Sequence, residues 1–281
     1  MINENLAPGV PAWDCGFLER SPMFAPLRAG DARSIGELSF WPGPQDYQCL
    51  LDSRPTPLTA RSGVPIRFVA ARAKREPAVE SYETRVYRSG EVALRQHNWH
   101  DLFNALVWIA FPSAKAALNE RHCSAMLAPK SPAGRGAVRD ALTLFDESGV
   151  IVTSADAELS ELLVMHRWKE LFWQRRESVL VQMGFFLFGH ALYEKALRPY
   201  PALTGFCLMC PVDGRFLCAP AAIQIEQLDA WLGQHIAAGS ALAAPRDLAV
   251  LPLLGVPGWA GDADASFYDD TRYFRPKAAL P

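Results

Sequence analysis

No apolar run in this chain is long enough to cross a bilayer. The longest, such as VLVQMGFFLFG at 179–189, falls well short of the ~20 residues that a spanning helix needs. Basic excess is missing too: the net charge is −2, so no global electrostatic footprint points to nucleic acid, although a local basic face stays open. The first residues, MINENLAPGVPAWD, have no basic start followed by an apolar segment, so no signal peptide is expected and a cytoplasmic location is. Neither a GxGxxG after a strand nor a GxxxxGK[ST] occurs, which leaves phosphate-cradling loops unsupported. There is no GxSxG elbow and no HExxH. Cys207 and Cys210 form a CxxC that no second CxxC completes. Since TGFCLMCPV has the pattern of a buried strand, its positions three apart should point to opposite faces and serve as core thiols. A turn at Pro211 would reopen metal binding there.

What remains is an ordinary globular composition, 50% hydrophobic and 21% charged, on a chain long enough to bury a substantial core. Residues 1–65 are rich in Pro and Gly and predict an extended, turn-punctuated arm with little helix. Its aromatics, Trp13, Phe17, Phe24, Phe40, Trp41 and Tyr47, are suited to packing on the body. Residues 66–281 predict one domain. IRFVAA at 66–71 suits a short strand. The alternation in YETRVYRSGEVALR (82–95) and in RDALTLFDESGVIVTS (139–154) predicts two hairpins, the second turning at Asp146-Glu147-Ser148-Gly149. Farther on, DAELSELLVMHRWKELFWQRRE predicts an amphipathic helix starting near Asp156, SVLVQMGFFLF a buried strand, HALYEKAL a short helix, TGFCLMCPV a strand and residues 223–238 another helix. Hairpins first and alternating elements later favour an α+β or α/β single domain, with a mixed sheet and packed helices behind the irregular arm.

The segment RQHNWHDLFNALVWIAFPSAKAALNERH (95–122) concentrates the chemistry. Asn98 is placed to cap a helix starting at Trp99, and from Leu102 to Phe111 only Asn104 interrupts the apolar residues. A helix apolar on every side is buried, yet its first turn holds His100, Asp101 and Asn104, with His97 just outside. Buried polar groups need partners. A second cluster, His190 and Glu194, stands four apart on one helical face. Two histidines with one or two carboxylates suit zinc, manganese or iron. The metal candidates are therefore His97, His100, Asp101, His190 and Glu194, with His100, Asp101 and Glu194 as the catalytic candidates that activate water. The helix dipole at His100 favours the neutral imidazole that ligation requires. Asn104, Arg139, Asp146 and Glu147 are further candidates, the two acidic residues either as turn formers or as completing ligands. Lys115, Asn119 and His122 share one helical side and predict a solvated face. Arg272 and Arg275, with Tyr268, Tyr273 and Phe274, are arranged to close over a small anionic ligand. The acidic residues Asp262, Asp264, Asp269 and Asp270 predict a solvated loop.

Several of these segments, taken in order, resemble an uncharacterised bacterial family, domain of unknown function 3025. They are RQHNWHDLFNALVWIAFPSAKAALNERH, RDALTLFDESGV, GHALYEKAL, PLLGVPGW and FYDDTRYFRP, spread over most of residues 80–276. The resemblance implies a soluble protein built of one such domain and brings no activity or catalytic residue with it. From residue chemistry alone, the expected function is a metal-dependent hydrolase, of phosphoesterase or nuclease type, acting on a small-molecule or phosphate-containing substrate with no membrane partner. The alternative is a non-catalytic ligand-binding or interaction module, in which the polar cluster is architecture and the aromatic C-terminal loop near Trp259 and Phe267 is the partner surface.

Overall fold

The computed structural model describes residues 12–71, 80–127, 135–239, 241–261 and 263–277, so Asp262 of the acidic loop lies outside them. The fold is α+β. Its main sheet has four strands in the order β4-β3-β5-β6. β3 (Gly149–Ser154) pairs antiparallel with β4 (Met183–Leu187) and parallel with β5 (Thr204–Pro211), which pairs antiparallel with β6 (Ala249–Pro252). Every residue of β3 is buried, as a central strand covered on both faces must be. A second, two-stranded sheet pairs β1 (Arg67–Ala70) parallel with β2 (Glu91–Leu94). None of the helices among the described residues is long and apolar enough to cross a membrane.

The arm is more helical than its composition predicts, holding α1 (Ala25–Arg28), α2 (Ala32–Gly36) and α3 (Pro44–Asp52). Pro44 is the reason at α3: it occupies the first helical position, where its missing N–H costs nothing, while Asp46 Oδ2 accepts from Gly43 N at 2.7 Å. The arm's aromatics lie on the body. Trp13 stacks on Trp99 with centroids 5.3 Å apart, and Phe24 stacks on Tyr193 at 6.0 Å.

Neither hairpin forms. Residues 82–89 are a helix, α4 (Tyr82–Ser89), because Ser81 Oγ caps Thr84 N at 3.2 Å and Gly90, at φ 71, stops it in the left-handed region. There Gly90 is required, since a Cβ would meet the Pro65 carbonyl oxygen 2.0 Å away. Likewise 135–148 is α7 (Arg135–Ser148), leading straight into β3. Ala141, Leu142 and Phe145 are fully buried, and their spacing is that of a helical face. Asp146 and Glu147 therefore sit on the last turn of a helix and not in a hairpin turn.

Two further boundaries differ. The helix capped by Asp156, α8 (Ala157–Val164), ends early where His166 takes φ 55. Arg167 N then bonds Leu162 O and His166 N bonds Leu163 O, a left-handed helix stop. The segment before β4 is α9 (Arg176–Gln182), with Leu180 and Val181 exposed, so only its second half is strand. β5 is the strand expected, its Cys207 and Cys210 buried and free, with burial pushing both thiols up and away from ligand chemistry.

Asn98 caps α5 (Trp99–Ala110) through Oδ1, which accepts from Asp101 N at 2.9 Å. The helix is buried almost throughout and packs against α10 (His190–Ala196). Pro112 then opens α6 (Pro112–Leu127). Its first N–H groups are capped from a distance by Asp229 of α12 (Ala221–Ala237): Ser113 N and Ala114 N donate to that carboxylate at 3.0 and 2.9 Å. A four-residue turn, α11 (Gly214–Leu217), precedes α12.

Candidate metal centre

Five helices converge on one cavity of about 300 Å³. The first two turns of α5 contribute His100, Asp101 and Asn104; the last turn of α7, Asp146 and Glu147; the start of α10, His190; α6, His122, with Lys115 behind the wall; and the start of α4, Tyr82 and Glu83. The approach of α10 to α7 depends on Gly189. A Cβ there would lie 2.5 Å from each of Glu147 O, Ser148 N and Gly149 N, so only glycine lets the two backbones meet. Gly149 O accepts from Phe188 N and Gly189 N at 3.0 and 2.9 Å, fixing the junction.

That junction places His190 beside His100, ring centroids 4.5 Å apart and planes at 82°. Both Nε2 atoms face one carboxylate oxygen, Glu147 Oε2, at 3.4 Å from His100 and 3.5 Å from His190. One donor atom from each of the three residues fits within 4.8 Å. Two donors bound ~2.1 Å from a tetrahedral metal are ~3.4 Å apart, so the spacing fits a three-ligand site. Behind each imidazole stands a second carboxylate: Asp101 Oδ1 is 3.3 Å from His100 Nδ1 and Asp146 Oδ2 is 3.8 Å from His190 Nδ1. Carboxylates in that position orient ligating histidines. Asp101 is itself held by Arg95, whose backbone N, Nε and Nη2 donate at 2.7, 2.8 and 2.7 Å. Asp146 is held by Lys115, whose Nζ donates to it at 2.6 Å and to Asn104 Oδ1 at 2.9 Å.

The electrostatics differ sharply across these few ångströms. Hydrogen bonds to Asp101 and then Glu147 raise His100 to about 9. The helix dipole predicted a neutral ring; the two carboxylates outweigh it, and His100 carries a proton at neutral pH. Burial lowers His190 to about 4, so its ring is neutral. Burial also raises Asp101, but bonds from Arg95 and His100 prevail and hold it below the usual carboxylate range. Across the cavity, burial and then the Asp146 charge push Glu83 up to about 7, while its Oε2 accepts from Asn119 Nδ2 at 2.6 Å. Lys115 stays charged because Asp146 offsets its burial.

His100, Asp101, Asn104, Asp146, Glu147 and His190 thus share one site. His97 lies apart, at φ 54 with its ring 5.7 Å from Trp41. Glu194 is exposed one turn beyond His190, and Arg139 is exposed two turns before Asp146. Lys115, Asn119 and His122 are buried, contrary to the solvated face their spacing predicts, because the cavity's carboxylates supply partners for charge in the interior. Tyr82 and Glu83 carried no site signal in the sequence, where residues 82–95 predict a hairpin and not the helix that brings both to the cavity.

Residues 66–278 match the model of a family described as "Protein of unknown function (DUF3025)", and the chain belongs to that family. Comparison with curated proteins and with solved structures gave no match.

Proposed function

We propose that the protein is a metal-dependent hydrolase, with a divalent zinc, manganese or iron held by His100, Glu147 and His190. The observation that carries this is the convergence of two imidazole Nε2 atoms on one carboxylate oxygen, each ring backed by a second carboxylate. Three protein ligands leave a coordination position for water, as hydrolytic sites do and closed structural sites do not. The metal would supply Lewis acidity and an acidified water. Asp101 is too strongly engaged by Arg95 to take a proton, and Glu194 is exposed outside the cavity. Glu83 is the better base: it lines the same cavity and exchanges its proton near neutrality. A cavity of about 300 Å³ suits a small ester or phosphoester and is too small for a polymer duplex.

One observation favours a non-catalytic module instead. Protonated His100 bridges Asp101 and Glu147, so the network is already balanced by protein charges. Elemental analysis of the untagged protein separates the two. Near-stoichiometric transition metal, lost in a folded His100→Ala/His190→Ala variant, supports the hydrolase and directs a chromogenic ester and phosphoester screen. Metal-free protein that takes up none on dialysis against zinc, manganese or iron(II) refutes it.

A further inference from the structure

A second cavity, of about 480 Å³, shares no lining residue with the histidine site. Sheet register builds its floor. Phe206 is opposite Val250, and Thr204 is opposite Pro252, so these four side chains occupy one face of the β5–β6 edge. Val250 is 37% exposed and Phe206 half-buried, leaving an apolar strip open to the cavity. One wall is His166, held at φ 55 with its ring stacked 4.9 Å from Trp168. The other is the C-terminal segment, which is pinned at three points. Tyr273 Oη donates to Leu203 O at 2.7 Å and accepts from Leu254 N at 2.9 Å, and Trp168 Nε1 donates to Arg275 O at 2.8 Å. The slot is therefore fixed by the fold.

Its charge is one-sided. Arg272 and Arg275 line it, and no carboxylate does. Arg272 is chelated by Asp270 through Nε and Nη2 at 2.9 and 2.8 Å, whereas Arg275 forms no ion pair among the described residues. Arg275 Nε donates to Arg272 O at 3.1 Å, which holds the side chain in place without neutralising it. An aromatic and aliphatic floor with one guanidinium free of carboxylates at the rim complements a ligand with a flat apolar body and a single anionic group. We propose that this slot binds a small amphipathic anion, its body on Phe206, Val250 and the edge of Trp168 and its carboxylate, sulfonate or phosphate on Arg275. Because the slot shares no lining residue with the histidine cavity, its ligand is distinct from that site's substrate.

The test is a fluorescence titration of the full chain with 1-anilinonaphthalene-8-sulfonate, beside N-phenyl-1-naphthylamine, which has the same body without the sulfonate. Saturable one-to-one binding of the sulfonate is expected. It should weaken roughly tenfold in Arg275→Gln, the loss of one charged hydrogen bond, and vanish in Val250→Glu. Both positions are exposed, and thermal unfolding checks that the variants fold. His100→Ala should bind like the parent. Absence of saturable binding below millimolar probe, or equal affinity in both slot variants, overturns the proposal. Equal affinity for the uncharged probe overturns its anionic part.

Discussion

Metal capture at the histidine site should release one proton, and this sets its pH dependence. A ligating imidazole must be neutral, yet His100 is held protonated to about 9 by Asp101 and Glu147. His190, lowered to about 4, and Glu147, lowered by its bond to His100, give up nothing between pH 6 and 9. The apparent affinity should then climb about tenfold per pH unit and level off near 9. At pH 7 the displaced proton costs about 2.7 kcal/mol, at 1.36 kcal/mol per unit, trimmed towards about 2 kcal/mol because the ring is 33% exposed. Folding stability of the metal-free protein runs the opposite way. A raised histidine pKa stabilises fully below the unfolded value of about 6.5, and that contribution is lost as pH rises through about 9. Calorimetric titration with zinc at pH 6, in two buffers of different ionisation enthalpy, counts the proton from His100 below the pH near 7 at which a zinc-bound water gives up its own. A count near zero, or equal affinity at pH 6.5 and pH 8, would refute the assignment of His100 as a ligand.

Three further outcomes follow from the same geometry. Lys115→Met keeps the stem but strands Asp146, and should cost about 3–5 kcal/mol in urea unfolding, largely recovered by adding Asp146→Leu; a loss under ~1 kcal/mol would mean that the pair is not buried as described. Gly189→Ala drives a Cβ into three backbone atoms, so it should cost about 1–3 kcal/mol and weaken zinc binding as His190 shifts, and unchanged affinity would disconnect the junction from the site. Glu83 has a raised pKa, so its stabilising contribution is present below about 4.5 and lost as pH rises through about 7. Relative to the parent, Glu83→Gln should therefore gain about 2 kcal/mol between pH 5 and pH 8, and a pH-independent difference would place Glu83 in water.

The parts of the fold that local chemistry dictates were legible. Asn98 as a cap and the all-round apolar face of α5 need no knowledge of distant residues, and the same holds for α10, β5 and α12. Half of the site was legible for that reason: His100 and His190 stand out as imidazoles in apolar helices. Their meeting is another matter. It rests on Gly189 passing against α7, and Glu147 lies 47 positions from His100, far beyond what any periodicity relates.

The misread segments have something in common. In α4 and α7 a glycine that follows a helix carries the same local signal as one that turns a hairpin: Gly90 stops α4 in the left-handed region, while Gly149 lets the chain pass close to the Phe145 carbonyl as α7 runs into β3. In α6 the helical spacing of Lys115 predicts solvent because lysine is seldom buried. Those three helices supply Glu83, Asp146 and Glu147, which form the acidic wall of the cavity, and Lys115, which pairs with Asp146 behind it. Local rules fail where a sequence serves something other than its own segment: Lys115 is tolerable inside only because Asp146 arrives from another helix, and Asp146 only because of Lys115. A buried ion pair of this kind is weak as a source of stability, since an apolar pair of the same volume would serve the core as well or better. Its placement behind His190 would give it a use that packing does not: Asp146 Oδ2 stands 3.8 Å from an Nδ1 that no hydrogen bond holds, and in the proposed site a carboxylate there would orient and strengthen the imidazole as a ligand.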